Sequence, residues 1–113
     1  MVEAFSSARE RIGEFAPTLA ALTDDVLFAN VWERPGLSKR DRSLVTVSAL
    51  VALYRTNEMG PHMIRAIEHG VTVDELVEAI THLAFYAGWP NAQTAITTAK
   101  QLFEQGETSG GRQ

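Results

Sequence analysis

Apolar residues recur along this chain at spacings of three and four, and no stretch alternates apolar with polar for long, which predicts helices and no strands. Residues 3 to 15 read as a weak amphipathic helix carrying Phe5, Ile12 and Phe15. Pro17 suits the first position of a second helix, where its missing N–H costs nothing. That helix runs through Leu19 and Leu22. Val26, Leu27, Val31 and Trp32 extend the stripe, with a break allowed at Thr23-Asp24 and a stop at Pro35-Gly36.

Ser38 is placed to cap a third helix, with Asp41 three residues on. From residue 39 to about 54 this helix carries Leu44, Val45, Val47, Leu50, Val51 and Leu53 on more than one face. A helix apolar almost all round is expected to be buried on every side, or to turn one face to another subunit. The next helix spans 58 to 69 with Met59, Met63, Ala66 and Ile67; Pro61 is compatible only with its first turn, and Gly70 supplies a left-handed stop. Thr72 to Glu75 form a capping box opening a helix with Val73, Leu76, Val77, Ile80, Leu83, Ala84 and Ala87 on its apolar stripe. Gly88 ends it. Pro90 starts a last helix whose stripe, Ala92, Ala95, Ile96, Ala99, Leu102 and Phe103, is small enough for close helix approach.

These elements predict a compact all-α domain of about six helices over residues 1–105, with a polar, disordered tail over 106–113. At 113 residues the chain is one domain's worth, and burial through oligomer formation would help so small a body. With 10 Lys+Arg against 14 Asp+Glu there is no basic excess to follow a phosphate backbone, so a nucleic-acid partner is not expected. An anionic substrate would need locally placed Arg or His. The absence of cysteine removes disulfides, thiolate nucleophiles and Cys-ligated zinc, and fits a cytoplasmic protein. No apolar run approaches the ~20 residues of a membrane span, and the N-terminus lacks the apolar core of a signal peptide.

There is no phosphate loop, no HExxH and no nucleophile elbow. Glu58 and His62, four apart, share a helix face, where a carboxylate can raise and orient an imidazole for proton transfer; a solvated surface pair has the same spacing. His82 lies beside an apolar stripe and either lines a pocket or packs as a neutral core histidine. His69 only complements the end of its helix. Tyr86 and Trp89 can wall a pocket or belong to the core. Arg40, Arg42 and Arg55 are candidates to hold a carboxylate, against the plainer reading of each as a surface charge. The histidine spacing does not call for a metal.

Three stretches in this order and spacing carry a family resemblance. They are WERPGLSKRDRSLVTVSALVAL from Trp32 to Leu53, PHMIRAIEHGVTVDEL from Pro61 to Leu76, and EAITHLAFYAGWPNAQTA from Glu78 to Ala95. Over about two thirds of its length the chain resembles the carboxymuconolactone decarboxylase family. The resemblance implies an alkylhydroperoxidase D-like helical fold, a homotrimer or homohexamer with sites near subunit contacts, and a role in aromatic-compound catabolism. A peroxidase branch of this family uses a CxxC pair, a His four residues beyond it and an upstream Glu. Here His62 matches that His, but Arg55 and Glu58 stand at the cysteine positions and Ser43 at the Glu position. The thiol relay is therefore absent.

The decarboxylase branch implies a cofactor-free lyase acting on a small carboxylated lactone or related acid. Loss of carbon dioxide leaves a carbanion spread into the conjugated carbonyl, which must be stabilised and protonated. The resemblance places His62 as proton donor or oxyanion partner. Chemical reasoning then adds Glu58 to tune it, and His82, Arg42, Tyr86 and Trp89 to bind substrate. Two rival expectations are a non-enzymatic helical oligomer or small-molecule binder, and a peroxidase-like oxidoreductase without the cysteine pair.

Overall fold

The computed structural model describes residues 7–109, with side chains described for residues 7–104. Every regular element among the described residues is a helix: α1 (Ala8–Ile12), α2 (Pro17–Ala21, continuing as a π-helix over Leu22–Val31), α3 (Lys39–Ala52), α4 (Thr56–Glu68), α5 (Val73–Ala87) and α6 (Trp89–Ser109). None is long and apolar enough to cross a membrane. The chain forms two compact units that part between Lys39 and Arg40.

In the first unit, α1 begins at Ala8 because the Ser7 hydroxyl accepts from the Glu10 N–H at 3.1 Å. The expected helical start at residues 3–6 lies outside the described residues. Asp24 reaches back to α1, its carboxylate accepting from the Ala8 and Arg9 N–H groups at 2.8 and 3.0 Å. The Arg9 guanidinium in turn meets Asp25, at 3.0 Å through Nη1. Thr23-Asp24, where a break was allowed for, is continuous helix instead. Its winding widens there, as the 2.9 Å bond from Trp32 N–H to the Leu27 carbonyl shows. A π-turn holds more residues than an α-turn, so Leu22, Val26, Leu27 and Val31 gather on one side, and all four are exposed. Trp32 is buried, its ring 6.1 Å from that of Phe28.

The second unit holds the main core. Val47 and Val51 of α3, Met59, Met63 and Ala66 of α4, Leu76, Ile80 and Ala84 of α5, and Ala92, Ala95 and Ala99 of α6 form one buried cluster with Val71. Gly60 lies against α6, since a Cβ there would stand 3.6 Å from Leu102 and 3.7 Å from Thr98. Of the two readings of α3, burial on every side does not hold within the single chain: one face enters the core, while Val45 and Leu53 are exposed, as a face turned to another subunit would be. The helix stops at Ala52, two residues early, because Tyr54 takes a left-handed φ of 59°. The orphaned carbonyls of that end are met by Asn91, whose Nδ2 donates to Val51 at 2.9 Å and Ala52 at 3.3 Å.

α4 starts at Thr56 rather than residue 58, which puts Pro61 in its second turn instead of its first. The proline leaves the Asn57 carbonyl without its helical donor, on an exposed residue that water reaches. Gly70 ends the helix at φ 104°, with the Gly70 N–H bonded to Ile67 at 3.0 Å and the Val71 N–H to Ala66 at 2.9 Å, a Schellman arrangement that buries Val71. The capping box forms as expected: Thr72 N–H to Glu75 Oε1 at 2.9 Å, and Glu75 N–H to Thr72 Oγ1 at 3.0 Å. α6 runs to Ser109, past the Gly106 at which the disordered tail was expected to begin; residues 110–113 lie outside the described residues. A helical glycine costs only about 1 kcal/mol relative to alanine, too little to halt a helix alone.

Candidate active site

At 3.6 residues per turn, Glu58, His62, Arg65 and His69 fall within about 60° of arc on α4. This polar stripe runs beside the Met59–Met63–Ala66 face that enters the core, and all four of its residues are half-buried. Amphipathic winding therefore sets the stripe at the edge of the core, where its charges are partly desolvated.

His62 is the centre of the stripe. Its Nδ1 is shut off from solvent. Burial pushes the imidazole pKa below its ordinary value, and the nearby Arg65 charge pushes it further; Glu58 opposes both and is the weakest of the three influences. The sequence reading expected Glu58 to raise this pKa. Its pull has the expected sign, and desolvation outweighs it. Glu58 also pairs with Arg55, its Oε1 3.5 Å from Nε. Arg65 responds to burial as well: desolvation lowers its guanidinium pKa, opposed by Glu68.

The other expected residues lie on three further elements. Arg42 of α3 is half-buried, with its Nε shut off from solvent, and precedes the buried Ser43. His82 is exposed, which removes its reading as a core histidine; its ring stacks on Tyr86 at 4.9 Å. Trp89 meets Phe85 edge-on at 5.1 Å. Tyr86 and Trp89 are both exposed, so neither belongs to the core of the chain. The six residues thus form an α4 pair, an α5–α6 aromatic strip and one α3 arginine. Of the remaining arginine candidates, Arg40 holds Glu75 and Asp41 and Arg55 holds Glu58, so both spend their charge on protein carboxylates.

Two features escaped the sequence reading. Arg65 stands three residues after His62, a spacing that helical geometry alone would have flagged. The Ser43 hydroxyl lies 2.8 Å from His69 Nδ1, a contact across 26 residues that no local pattern announces. A groove of about 580 Å³ opens between α5 and α6, floored by Val77, Ile96 and Phe103 with Asp74 and Lys100 beside it, and none of the six expected residues lines it. Among the described residues, no three acidic, histidine or cysteine side chains come together in a way that could hold a metal ion.

The sequence profile of the carboxymuconolactone decarboxylase family matches residues 17–101. The chain is 37 % identical over 95 residues to a 4-carboxymuconolactone decarboxylase of Acinetobacter baylyi, covering 84 % of this chain and 71 % of that one. It is 38 % identical over 76 residues to a nitrosuccinic acid decarboxylase of Metarhizium robertsii, covering 66 % of this chain and about half, 53 %, of that protein. An uncharacterized 15.0 kDa protein of Paracoccus denitrificans is 26 % identical over 112 residues, covering 93 % of this chain and 84 % of its own.

Proposed function

We propose that this chain, which belongs to the carboxymuconolactone decarboxylase family, is a decarboxylase that removes carbon dioxide from a small acid carrying its own electron acceptor. The observation that carries the reading is the half-buried imidazole of His62, drawn down in pKa and set between Glu58 and Arg65 on one helix face. The two relatives with named activities are both decarboxylases. Their substrates, a carboxylated lactone and a nitro acid, share one chemical trait. The electron pair left by departing carbon dioxide can spread into a neighbouring acceptor, the lactone carbonyl or the nitro group.

The steps balance without an added redox partner. The bond between carbon and carboxylate breaks, carbon dioxide leaves, and the pair moves into the acceptor. His62, as imidazolium, then gives its proton to carbon and regains one from water. A depressed pKa suits that donor, because a weakly held proton transfers readily to a stabilised carbanion. The imidazolium is favoured when an anionic substrate sits beside it. Glu58 serves as its positioning carboxylate. His82, Tyr86, Trp89 and Arg42 are assigned to substrate binding. We further read the chain as a homo-oligomer, a trimer or hexamer, because Phe85, Tyr86, Trp89, Val45 and Leu53 leave large apolar surface on the single chain.

The test is carbon dioxide release from 4-carboxymuconolactone and from nitrosuccinic acid by the purified protein. Activity on either is expected, with loss of at least ~100-fold in His62→Ala at an unchanged oligomeric state by light scattering. Full activity in that variant would remove His62 from the chemistry, and inertness toward both acids would remove the substrate class.

A further inference from the structure

We propose that Tyr54 is a positioning residue: it ties the corner between α3 and α4 to the front of α6, and so fixes the Glu58–His62 end of α4 relative to Trp89. The inference rests on the decarboxylase reading above and names what holds two parts of that site in register.

Two helices of this chain end in the same way. At the end of α4 the Gly70 N–H bonds to Ile67 and the Val71 N–H to Ala66, with Gly70 left-handed at φ 104°. At the end of α3 the Tyr54 N–H bonds to Val51 at 3.1 Å and the Arg55 N–H to Leu50 at 2.8 Å, with Tyr54 left-handed at φ 59°. The hydrogen-bond pattern is shared, and glycine is the residue that fills its left-handed position without steric cost. Among the described residues, Tyr54 is the one residue other than glycine with such a backbone. Its own Cβ disfavours that conformation, which points to a compensating role for the side chain.

The side chain reaches α6. Its hydroxyl stands 3.2 Å from that of Thr94, in the helix that Trp89 opens. The main chain leads the other way, into α4. Arg55, next in sequence, caps that helix: its carbonyl accepts from the Glu58 N–H at 3.1 Å and the Met59 N–H at 3.2 Å, and its Nε lies 3.5 Å from Glu58 Oε1. His62 follows one turn later. Asn91 already holds the last carbonyls of α3. Tyr54 adds a second tie, on the side from which α4 departs, and a corner held at two points cannot pivot about either. A glycine at this position would keep the helix end and lose the second tie. Misplacing a proton donor by about 1 Å is enough to slow a reaction by up to ~100-fold.

Tyr54→Gly therefore separates the tie from the turn. Two NMR measurements follow it: hydrogen exchange at the Glu58 and Met59 amides, and the titration of the His62 ring. Exchange is expected to quicken at least ~fivefold as the first turn of α4 loosens. The His62 midpoint is expected to rise toward the ordinary histidine value as water reaches the ring, since the charges that act on it, Arg65 and Glu58, are unaltered. Tyr54→Phe loses only the hydroxyl, is expected to move both readouts in the same direction, and carries the test should Tyr54→Gly fail to fold. Thr94→Val removes the same contact from the other side; it is expected to match Tyr54→Phe, with the double variant adding nothing further. Unchanged exchange and an unchanged His62 midpoint overturn the positioning role, whatever happens to the melting temperature. In turnover, Tyr54→Gly is expected to lose about tenfold in kcat at nearly constant KM. The NMR measurements need no turnover, so the two readings fail separately. A moved His62 midpoint in a protein that releases no carbon dioxide upholds the tie and sinks the decarboxylase. Release by Tyr54→Gly at the native kcat overturns the tie and leaves the decarboxylase standing.

Discussion

The Ser43 hydroxyl and His69 Nδ1, 2.8 Å apart, tie the buried face of α3 to the last residue of α4's cap. The serine is 2 % exposed and reaches the edge of the same stripe that carries His62. Ser43→Ala removes this hydrogen bond and leaves a half-buried ring nitrogen to water. A loss of about 1 kcal/mol is expected, read as a lower urea midpoint at constant slope. An unchanged midpoint would show that the contact contributes nothing net.

His62 makes stability depend on pH. Its folded-state pKa lies below the ordinary histidine value, so the unfolded chain binds the proton more readily. Stability is therefore full at pH above the unfolded value near 6.5, and falls as pH drops through it toward the folded pKa. Denaturation midpoints at pH 7.5 and 5.5 are expected to differ by more in the native protein than in His62→Gln. Asp24, held low mainly by the Ala8 and then the Arg9 backbone N–H groups, acts in a separate window. Its contribution is lost only as pH falls through the carboxylate range.

Asn91, at the start of α6, caps the end of α3. Asn91→Ala uncaps the Val51 and Ala52 carbonyls and is expected to cost about 1–2 kcal/mol, seen as a lower melting temperature. Asn91→Asp is expected to cost at least as much, because a carboxylate turns an acceptor toward two carbonyl oxygens. A stable Asn91→Asp protein would contradict this account.

Gly70 holds a φ of 104° with open space where a Cβ would stand. Gly70→Ala is thus a test of backbone conformation alone, with about 1 kcal/mol of destabilisation expected and no change in ligand affinity at the stripe.

Periodicity and caps announced the second unit well. The Thr72–Glu75 box, the Gly70 stop and the alanine face of α6 all form where their spacing placed them. What failed has physical causes. Tyr54 in a left-handed conformation ends α3 early, and nothing in its chemistry signals that; its hydroxyl meets Thr94, 40 residues on, at 3.2 Å. The π-winding of α2 is equally silent, because Leu22 to Val31 spells an acceptable α-helix. Within the candidate site, the Glu58–His62 spacing was legible, but the ranking of forces on the imidazole was not. Burial is a property of the assembled core, and it outweighs the carboxylate that local spacing points to.

The close-packing face of α6 offers little but methyl groups, Ala92, Ala95 and Ala99. Such a face lets two rods draw near, yet it has few knobs to stop one from sliding along the other. Axial position is then set at the front of α6, where Asn91 grips the end of α3 and Thr94 meets Tyr54. The helix behaves as a bolt located at its head, where shifts along its length are resisted.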